Sequence, residues 1–121
     1  MTQPKRILYV SRRAPHGTIY AQEGLDMILI GAAFEQEVRV AFVDDGVWQL
    51  ITEQSPSAIG AKDFAKGLRA LEMYDVRDVY VDGASLAQRG LTKEHLMMDV
   101  TIVSEEELAR VFEQQDVVLP I

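Results

Sequence analysis

Short apolar blocks alternate with helix-like stretches along the whole chain. Five blocks are rich in Val, Ile, Leu and Tyr, which pack well in a buried, pleated sheet. The first four blocks are each followed by a polar residue, where a strand is expected to end. The pattern therefore predicts strands at residues 6–10, 38–43, 78–81, 98–103 and 116–119.

Two longer segments between these strands have the periodicity of helices. Thr18 is a candidate N-cap, and apolar residues then recur at positions 21, 25, 28, 29 and 32, which form one helical face. Ser55 begins a second pattern, with apolar positions 61, 64, 68 and 71 on one side. Both segments are therefore expected to cover the sheet as amphipathic helices.

Two local signals mark the ends of later helices. Gly90 follows a short helix predicted at residues 85–89, at the place of a left-handed C-cap. Ser104 and Glu107 have the spacing of a capping box, in which each side chain bonds the other residue's backbone amide. A helix is expected to begin after Ser104.

The alternation of strands and helices favours parallel strands joined by right-handed crossovers. We therefore predict one α/β domain over residues 1–121: a three-layer α/β/α sandwich with a mainly parallel five-stranded sheet and flavodoxin-like architecture. In such sheets ligands bind beyond the carboxyl ends of the strands. The loops to examine for function are those that follow these ends.

The composition limits the chemistry of those loops. The chain has no cysteine, so neither a disulfide nor a sulfur nucleophile is available. A net charge of −7 disfavours direct binding of nucleic acid, which needs concentrated Lys and Arg. No apolar run approaches the roughly 20 residues of a membrane helix, and we expect a cytoplasmic protein.

Two ligand-binding interpretations of the loops are weak. A flavodoxin-like site would use the loop after the first strand as a phosphate cradle and Trp48 as a stacking ring, but that loop has a single glycine. A receiver domain would use Asp44, Asp45 and Asp82, but the acidic pair follows the second strand rather than the first. We interpret the acidic pair, with Gly46, as a tight turn. An independent ligand-binding module is the alternative function.

The histidines and the tryptophan give interface candidates rather than a catalytic site. His16 and His95 complete neither a Ser/His/Asp triad nor a metal-ligand set, so no cofactor or metal is predicted. His16 is kept as a candidate contact to a partner or an anion. Trp48 either caps the core or anchors an interface.

Apolar residues near predicted strand ends indicate that the chain associates. Exposed apolar groups are tolerated chiefly where a partner covers them. Expressed alone, the chain is expected to form a homo-oligomer. The residues on which this expectation depends are Trp48, Leu50, Ile51, Met97 and Met98.

Several blocks, in this order, resemble the TusC/DsrF family of DsrE/F-like proteins. They are Ala-Pro-His-Gly-Thr at 14–18, Glu-Gly-Leu-Asp at 23–26, Asp-Gly-Val-Trp-Gln-Leu at 45–50, residues 71–76, Ala-Ser-Leu at 84–86 and Arg-Gly-Leu at 89–91. The similarity runs over nearly the whole chain, and few other α/β families combine these blocks. The candidate interface or strand-end residues are His16, Asp45, Trp48, Asp82 and Arg89.

The resemblance implies a cysteine-free structural subunit of a sulfur-relay complex. The implied partners are a DsrE/TusD-like and a DsrH/TusB-like subunit, in a heterohexamer with two copies of each chain. The DsrE/TusD-like subunit carries a persulfide-forming cysteine directly after its third strand, and the matching place in this sequence is Asp82. Since an aspartate cannot carry sulfane sulfur, the implied role is non-catalytic.

Such complexes serve one of two pathways, according to the same resemblance. One delivers sulfur toward 2-thiouridine at the tRNA wobble position, and the other moves sulfur in the cytoplasm during dissimilatory sulfur oxidation. The residues do not separate the two. The wider occurrence of the tRNA relay slightly favours that pathway.

Overall fold

The strands of the structure run parallel in one sheet. The computed structural model describes residues 5–12, 20–33, 37–51, 70, 71, 73, 74, 76, 78–96 and 99–121. Within these residues the sheet has five strands in the order β4-β3-β2-β1-β5, and every neighbouring pair is parallel. The strands are β1 (Arg6–Ser11), β2 (Glu37–Phe42), β3 (Val79–Asp82), β4 (Thr101–Val103) and β5 (Val117–Pro120). The predicted parallel α/β fold is confirmed.

Helices lie on both faces of this sheet. The chain winds from β1 toward β4 and then crosses back to β5 on the other side of β1. Because crossovers are right-handed, this reversal places the last helix on the face opposite to the first. The α-helices are α1 (Tyr20–Ala33), α2 (Gly83–Gln88) and α3 (Glu105–Glu113), and two 3₁₀ helices are η1 (Asp44–Leu50) and η2 (Lys93–His95).

Alternate residues of the strands form two separate cores. Tyr9 and Val40 face α1, where they pack in one cluster with Ile28. Leu8 and Ala41 face the other way, where residues of α3 pack against them. This alternation is the period of two expected of strands that are covered on both faces. The predicted three-layer sandwich is confirmed.

Some predicted elements lie partly or wholly outside the described residues. The proposed N-cap Thr18 and the segment 52–69, which includes most of the helix predicted after Ser55, are among these. The end of that pattern is described, and Leu71 is completely buried in the α1-side core. Met97 and Met98 also lie outside, and β4 begins at Thr101, three residues later than predicted.

The turn predicted at Asp44-Asp45-Gly46 is wrong, because these residues begin the seven-residue helix η1. Asp44 has a φ of 50°, a left-handed conformation that aspartate tolerates better than most residues. The helix brings Leu50 into the core with no exposed surface, which corrects its predicted place on an exposed apolar surface. Ile51 is half-buried and forms an antiparallel bridge with Leu96.

Both predicted helix ends are confirmed. The Ser104 hydroxyl accepts a hydrogen bond from the Glu107 amide at 3.1 Å, and the Glu107 carboxylate accepts one from the Ser104 amide at 3.0 Å. Gly90 ends the segment after α2 with a φ of 68°. Along the described part of the chain, no helix is both long and apolar enough to cross a bilayer.

Candidate functional site

The buried polar side chains of the described residues gather at the carboxyl ends of the strands. Ser11 is the last residue of β1, Gln49 lies in η1 after β2, and Ser85 lies in the first turn of α2 after β3. Each is at most 4% exposed. Because burying a polar group is costly unless it is hydrogen-bonded, their partners define how this edge of the sheet is built.

Ser85 joins the ends of two strands. Its hydroxyl donates to a carboxylate oxygen of Asp82 at 2.6 Å and accepts from the backbone amide of Asp44 at 2.9 Å. The first bond is short, as expected for a hydroxyl that donates to a charged oxygen. Asp82 ends β3, whereas Asp44 begins η1 directly after β2, so one buried hydroxyl fixes their relative positions.

Arg89 makes a second connection between η1 and α2. Its Nε and Nη2 donate to one carboxylate oxygen of Asp45 at 3.2 and 3.0 Å, and its Nη1 donates to the Ser85 carbonyl at 3.0 Å. The Arg89 side chain is 19% exposed and the Asp45 side chain 61% exposed. An ion pair so open to solvent contributes at most about 1 kcal/mol to stability. The three hydrogen bonds of Arg89 nevertheless orient its guanidinium.

Gln49 and Gly46 hold η1 against the end of β1. The Gln49 amide nitrogen donates to the Ser11 hydroxyl at 2.7 Å. The Ser11 carbonyl accepts from the Val43 amide at 3.0 Å, and Gly46 lies directly against that carbonyl, with no space for a side chain. The ends of β1, β2 and β3 are thereby linked through η1.

The structure brings most of the predicted site residues to this edge. Asp45 and Arg89 are paired, and Asp82 lies beside them through Ser85. Asp82, at the end of β3, is partly buried and hydrogen-bonded to Ser85. His16 lies outside the described residues.

Trp48 differs from its neighbours in η1 in its exposure to solvent. Val47 and Leu50 are completely buried, whereas Trp48 remains 38% exposed. Trp48 therefore presents ring surface at the outside of the molecule.

The bonding of this edge limits what it can do chemically. Ser85 is 2% exposed and uses its hydroxyl both as donor and as acceptor, so it is not available as a nucleophile. The sequence supplies no thiol. Among the residues that the structure describes, no group of three or more His, Cys, Asp or Glu side chains is arranged to hold a metal ion. The polar groups of this edge are tied to each other.

The sequence interpretation missed the roles of Ser11, Gln49 and Ser85. One sequence signal for Ser85 was available. It follows an aspartate at a strand end by three residues, and this spacing is typical of a helix N-terminus. The carboxylate of Asp82 bonds the hydroxyl at that position and makes no side-chain cap to a backbone amide. Ser11 and Gln49 carried no local signal, because their contact spans 38 positions.

The fold and this edge define a cysteine-free parallel α/β sandwich whose strand-end polar groups are bonded to each other. The chain belongs to the DsrE/DsrF-like family, whose sequence profile matches residues 5–121. It is 52% identical over 93 residues to the intracellular sulfur oxidation protein DsrF of Allochromatium vinosum, covering 77% of this chain and 68% of that protein. It is 38% identical over 109 residues to the TusC homolog of Vibrio parahaemolyticus, covering 90% and 92%.

A solved structure supports the architecture. The crystal structure of the ychN protein from E. coli superposes with a TM-score of 0.83 and covers 97% of this chain and 99% of that chain. The identity of this pair is 23%, so the similarity concerns the fold alone.

Proposed function

We propose that this chain is a non-catalytic structural subunit of a sulfur-relay complex. Its similarity to proteins named DsrF and TusC supports a role in sulfur relay. The observation that carries the non-catalytic role is the end of β3, where the carboxylate of Asp82 is bonded to the buried Ser85. A carboxylate cannot store sulfane sulfur as a cysteine persulfide does, so other subunits carry the sulfur.

The proposed partners are a DsrE/TusD-like and a DsrH/TusB-like chain, assembled with this one as a heterohexamer in the cytoplasm. Identity to DsrF is 52%, against 38% to the Vibrio parahaemolyticus TusC homolog. This difference supports sulfur oxidation as the pathway and outweighs the wider occurrence of the tRNA relay. The genes that neighbour the coding sequence provide an independent check of the pathway.

The substitution Asp82→Asn tests whether the carboxylate takes part in sulfur transfer. Asparagine keeps an oxygen that can accept from Ser85 but removes the charge, whereas alanine would leave the buried hydroxyl without its acceptor, at a cost of about 1–3 kcal/mol. We expect complex yield and sulfur transfer per assembled complex to stay within twofold of the native values. Asp99→Asn removes the same charge at an exposed position before β4 and is the matched control.

Both quantities are measured on the chain co-expressed with its cognate sister subunits, by native mass spectrometry and by persulfide transfer to the acceptor. Trp48→Ala is expected to lower complex yield while leaving transfer per assembled complex unchanged, because it removes exposed ring surface. If Asp82→Asn abolished transfer in a fully assembled complex, the carboxylate would have a chemical role. If the native chain formed no complex with the sister subunits, the proposed function would be abandoned.

A further inference from the structure

We propose that Ser85 is a positioning residue for partner binding: its buried hydroxyl holds η1 in the conformation that presents Trp48 to a sister subunit. The proposal rests on the proposed function, since it requires that Trp48 contacts a partner. Ser85 is 2% exposed and does not touch the partner itself. It acts through the backbone of Asp44, at the start of η1.

The start of η1 has a backbone conformation that needs support. Asp44 has a φ of 50°, in the left-handed region, which is uncommon for any residue other than glycine. Such a conformation persists only where the surrounding structure holds it. The Asp44 amide donates to the Ser85 hydroxyl at 2.9 Å, across 41 positions of the chain. A tertiary hydrogen bond therefore supports the direction in which η1 leaves β2.

The hydroxyl of Ser85 is itself oriented for this bond. A serine hydroxyl has one proton, and Ser85 donates it to a carboxylate oxygen of Asp82 at 2.6 Å. The lone pairs of the same oxygen are then left for the Asp44 amide. Because a bond to a charged acceptor is strong, Ser85 has little freedom to turn away from η1. Asp82 thus serves as the acceptor that orients Ser85.

The direction of Trp48 follows the orientation of η1. Side chains at positions i and i+3 of a 3₁₀ helix lie directly above one another, so Asp45 and Trp48 share one face. The Asp45 carboxylate is held by the Arg89 guanidinium at 3.0 Å. Since Ser85 and Arg89 both belong to the segment after β3, this segment sets the face on which Trp48 is 38% exposed.

Of these two attachments, the Ser85 bond is the stronger. The Asp45 side chain is 61% exposed, and ion pairs that are open to solvent hold weakly. Without the buried hydroxyl, the Asp44 amide would lose the bond that supports its conformation. Apparent affinity falls by the fraction of chains that are in the binding conformation. If Ser85→Ala leaves that conformation about one-tenth populated, partner binding weakens about tenfold.

Two measurements on the intact chain test the proposal. Titration with the purified sister subunits gives the affinity, and acrylamide quenching of the isolated chain reports on Trp48 alone, since it is the single tryptophan of the sequence. Ser85→Ala is expected to weaken binding about tenfold and to increase quenching. Ser104→Ala is the matched control. It also removes a hydroxyl that bonds a backbone amide, but in the cap of α3, and should change neither quantity.

Two substitutions of the exposed Asp44 test the same idea without altering a buried side chain. Asp44→Val disfavours the left-handed conformation and is expected to weaken binding. Asp44→Gly removes the same carboxylate but adopts the conformation freely, so it should bind more tightly than Asp44→Val. If Ser85→Ala did not fold, this pair would decide the matter, and equal affinities of the two variants would overturn the proposal.

A double-mutant cycle separates positioning from a general loss of stability. If Ser85 acts through Trp48, Ser85→Ala should cause no further loss of affinity in a chain that already carries Trp48→Ala. Equal losses in both backgrounds, or native affinity of the Ser85→Ala variant, would show that Ser85 does not position Trp48. Either result would leave the proposed function standing, because the native chain would still bind. Failure of the native chain to bind any sister subunit would remove both proposals.

Discussion

Replacing Gly46 with alanine tests the contact that holds η1 against β1. A Cβ at this position would overlap the Ser11 carbonyl oxygen and would lie 2.8 Å from the carbonyl carbon and 3.2 Å from the Arg12 amide nitrogen. All three are backbone atoms at the end of a central strand, so no change of rotamer relieves the overlap. The helix must move away from the strand.

The cost follows from what that movement breaks. Overpacking in a tight site costs about 1–3 kcal/mol. The bond from Val43 to the Ser11 carbonyl and the bond from Gln49 to the Ser11 hydroxyl would also lengthen, at about 1 kcal/mol each. We therefore expect Gly46→Ala to lower the free energy of unfolding by about 3–5 kcal/mol, a large part of the roughly 5–15 kcal/mol that stabilises most domains. The melting temperature should fall by at least roughly 10 °C.

Gly90→Ala provides the matched control for this substitution. Gly90 has a φ of 68°, and nothing lies within 4 Å of the place of its Cβ. Alanine at position 90 would be destabilised only by the left-handed backbone conformation, which lowers the free energy of unfolding by about 1 kcal/mol. Urea denaturation of both variants, with equal m-values, measures the difference. If Gly46→Ala cost no more than Gly90→Ala, the close approach of η1 to β1 would be refuted.

Two smaller predictions concern α1 and α3. A Cβ on Gly31 would lie 2.8 Å from the Tyr9 hydroxyl oxygen, with ring atoms no closer than 3.6 Å. Gly31→Ala should therefore destabilise the native chain by about 1–2 kcal/mol. In the Tyr9→Phe variant the hydroxyl is absent, so the same substitution should stabilise the chain through the higher helix propensity of alanine. A double-mutant cycle in urea measures this, and the same sign in both backgrounds would contradict it. Hydrogen bonds from the Ser104 backbone and hydroxyl lower the pKa of Glu107. The ionised Glu107 carboxylate therefore stabilises the folded chain above the ordinary carboxyl pKa, and this stabilisation is lost as pH falls through the folded-state pKa. Melting temperatures across acid pH should therefore converge for the native chain and Glu107→Gln, and a constant difference would argue against the capping role.

The strands were predictable because their apolar runs coincide with their pairing. Four of the five observed strands begin and end within one residue of the predicted bounds. The exception is β4, which begins at Thr101. Its neighbour β3 spans four residues, and the pairing with β4 begins only at Tyr80 opposite Thr101. Val100 is apolar because it packs against the α1-side core, and a sequence pattern does not distinguish this from a strand.

The candidate site was predictable in its place but not in its bonds. Asp45, Asp82 and Arg89 follow strand ends or lie in the helix after one, and parallel strands bring such residues to one edge. Their connections depend on η1, which turns the chain back over β1 where a tight turn was expected. That course requires the left-handed Asp44 and the close contact of Gly46 with Ser11, and both are tertiary in origin.

The two ends of the sheet differ in which groups remain without a partner inside the chain: polar groups are paired at one end, and apolar side chains are exposed at the other. This difference links the structure to the proposed role. At the carboxyl ends, the buried hydroxyls and amide of Ser85, Ser11 and Gln49 are hydrogen-bonded within the chain, so they need no ligand as a partner. At the amino end, Ile30 in the last turn of α1 is 58% exposed and Met73, which precedes β3, is 84% exposed. Burial of that apolar surface would favour association with another chain. The hydrogen-bonded groups at the carboxyl ends would need no rearrangement when this happens. Under the proposed function, a chain built in this way would contribute shape and contacts to an assembly, and the groups that carry sulfur would come from its partners.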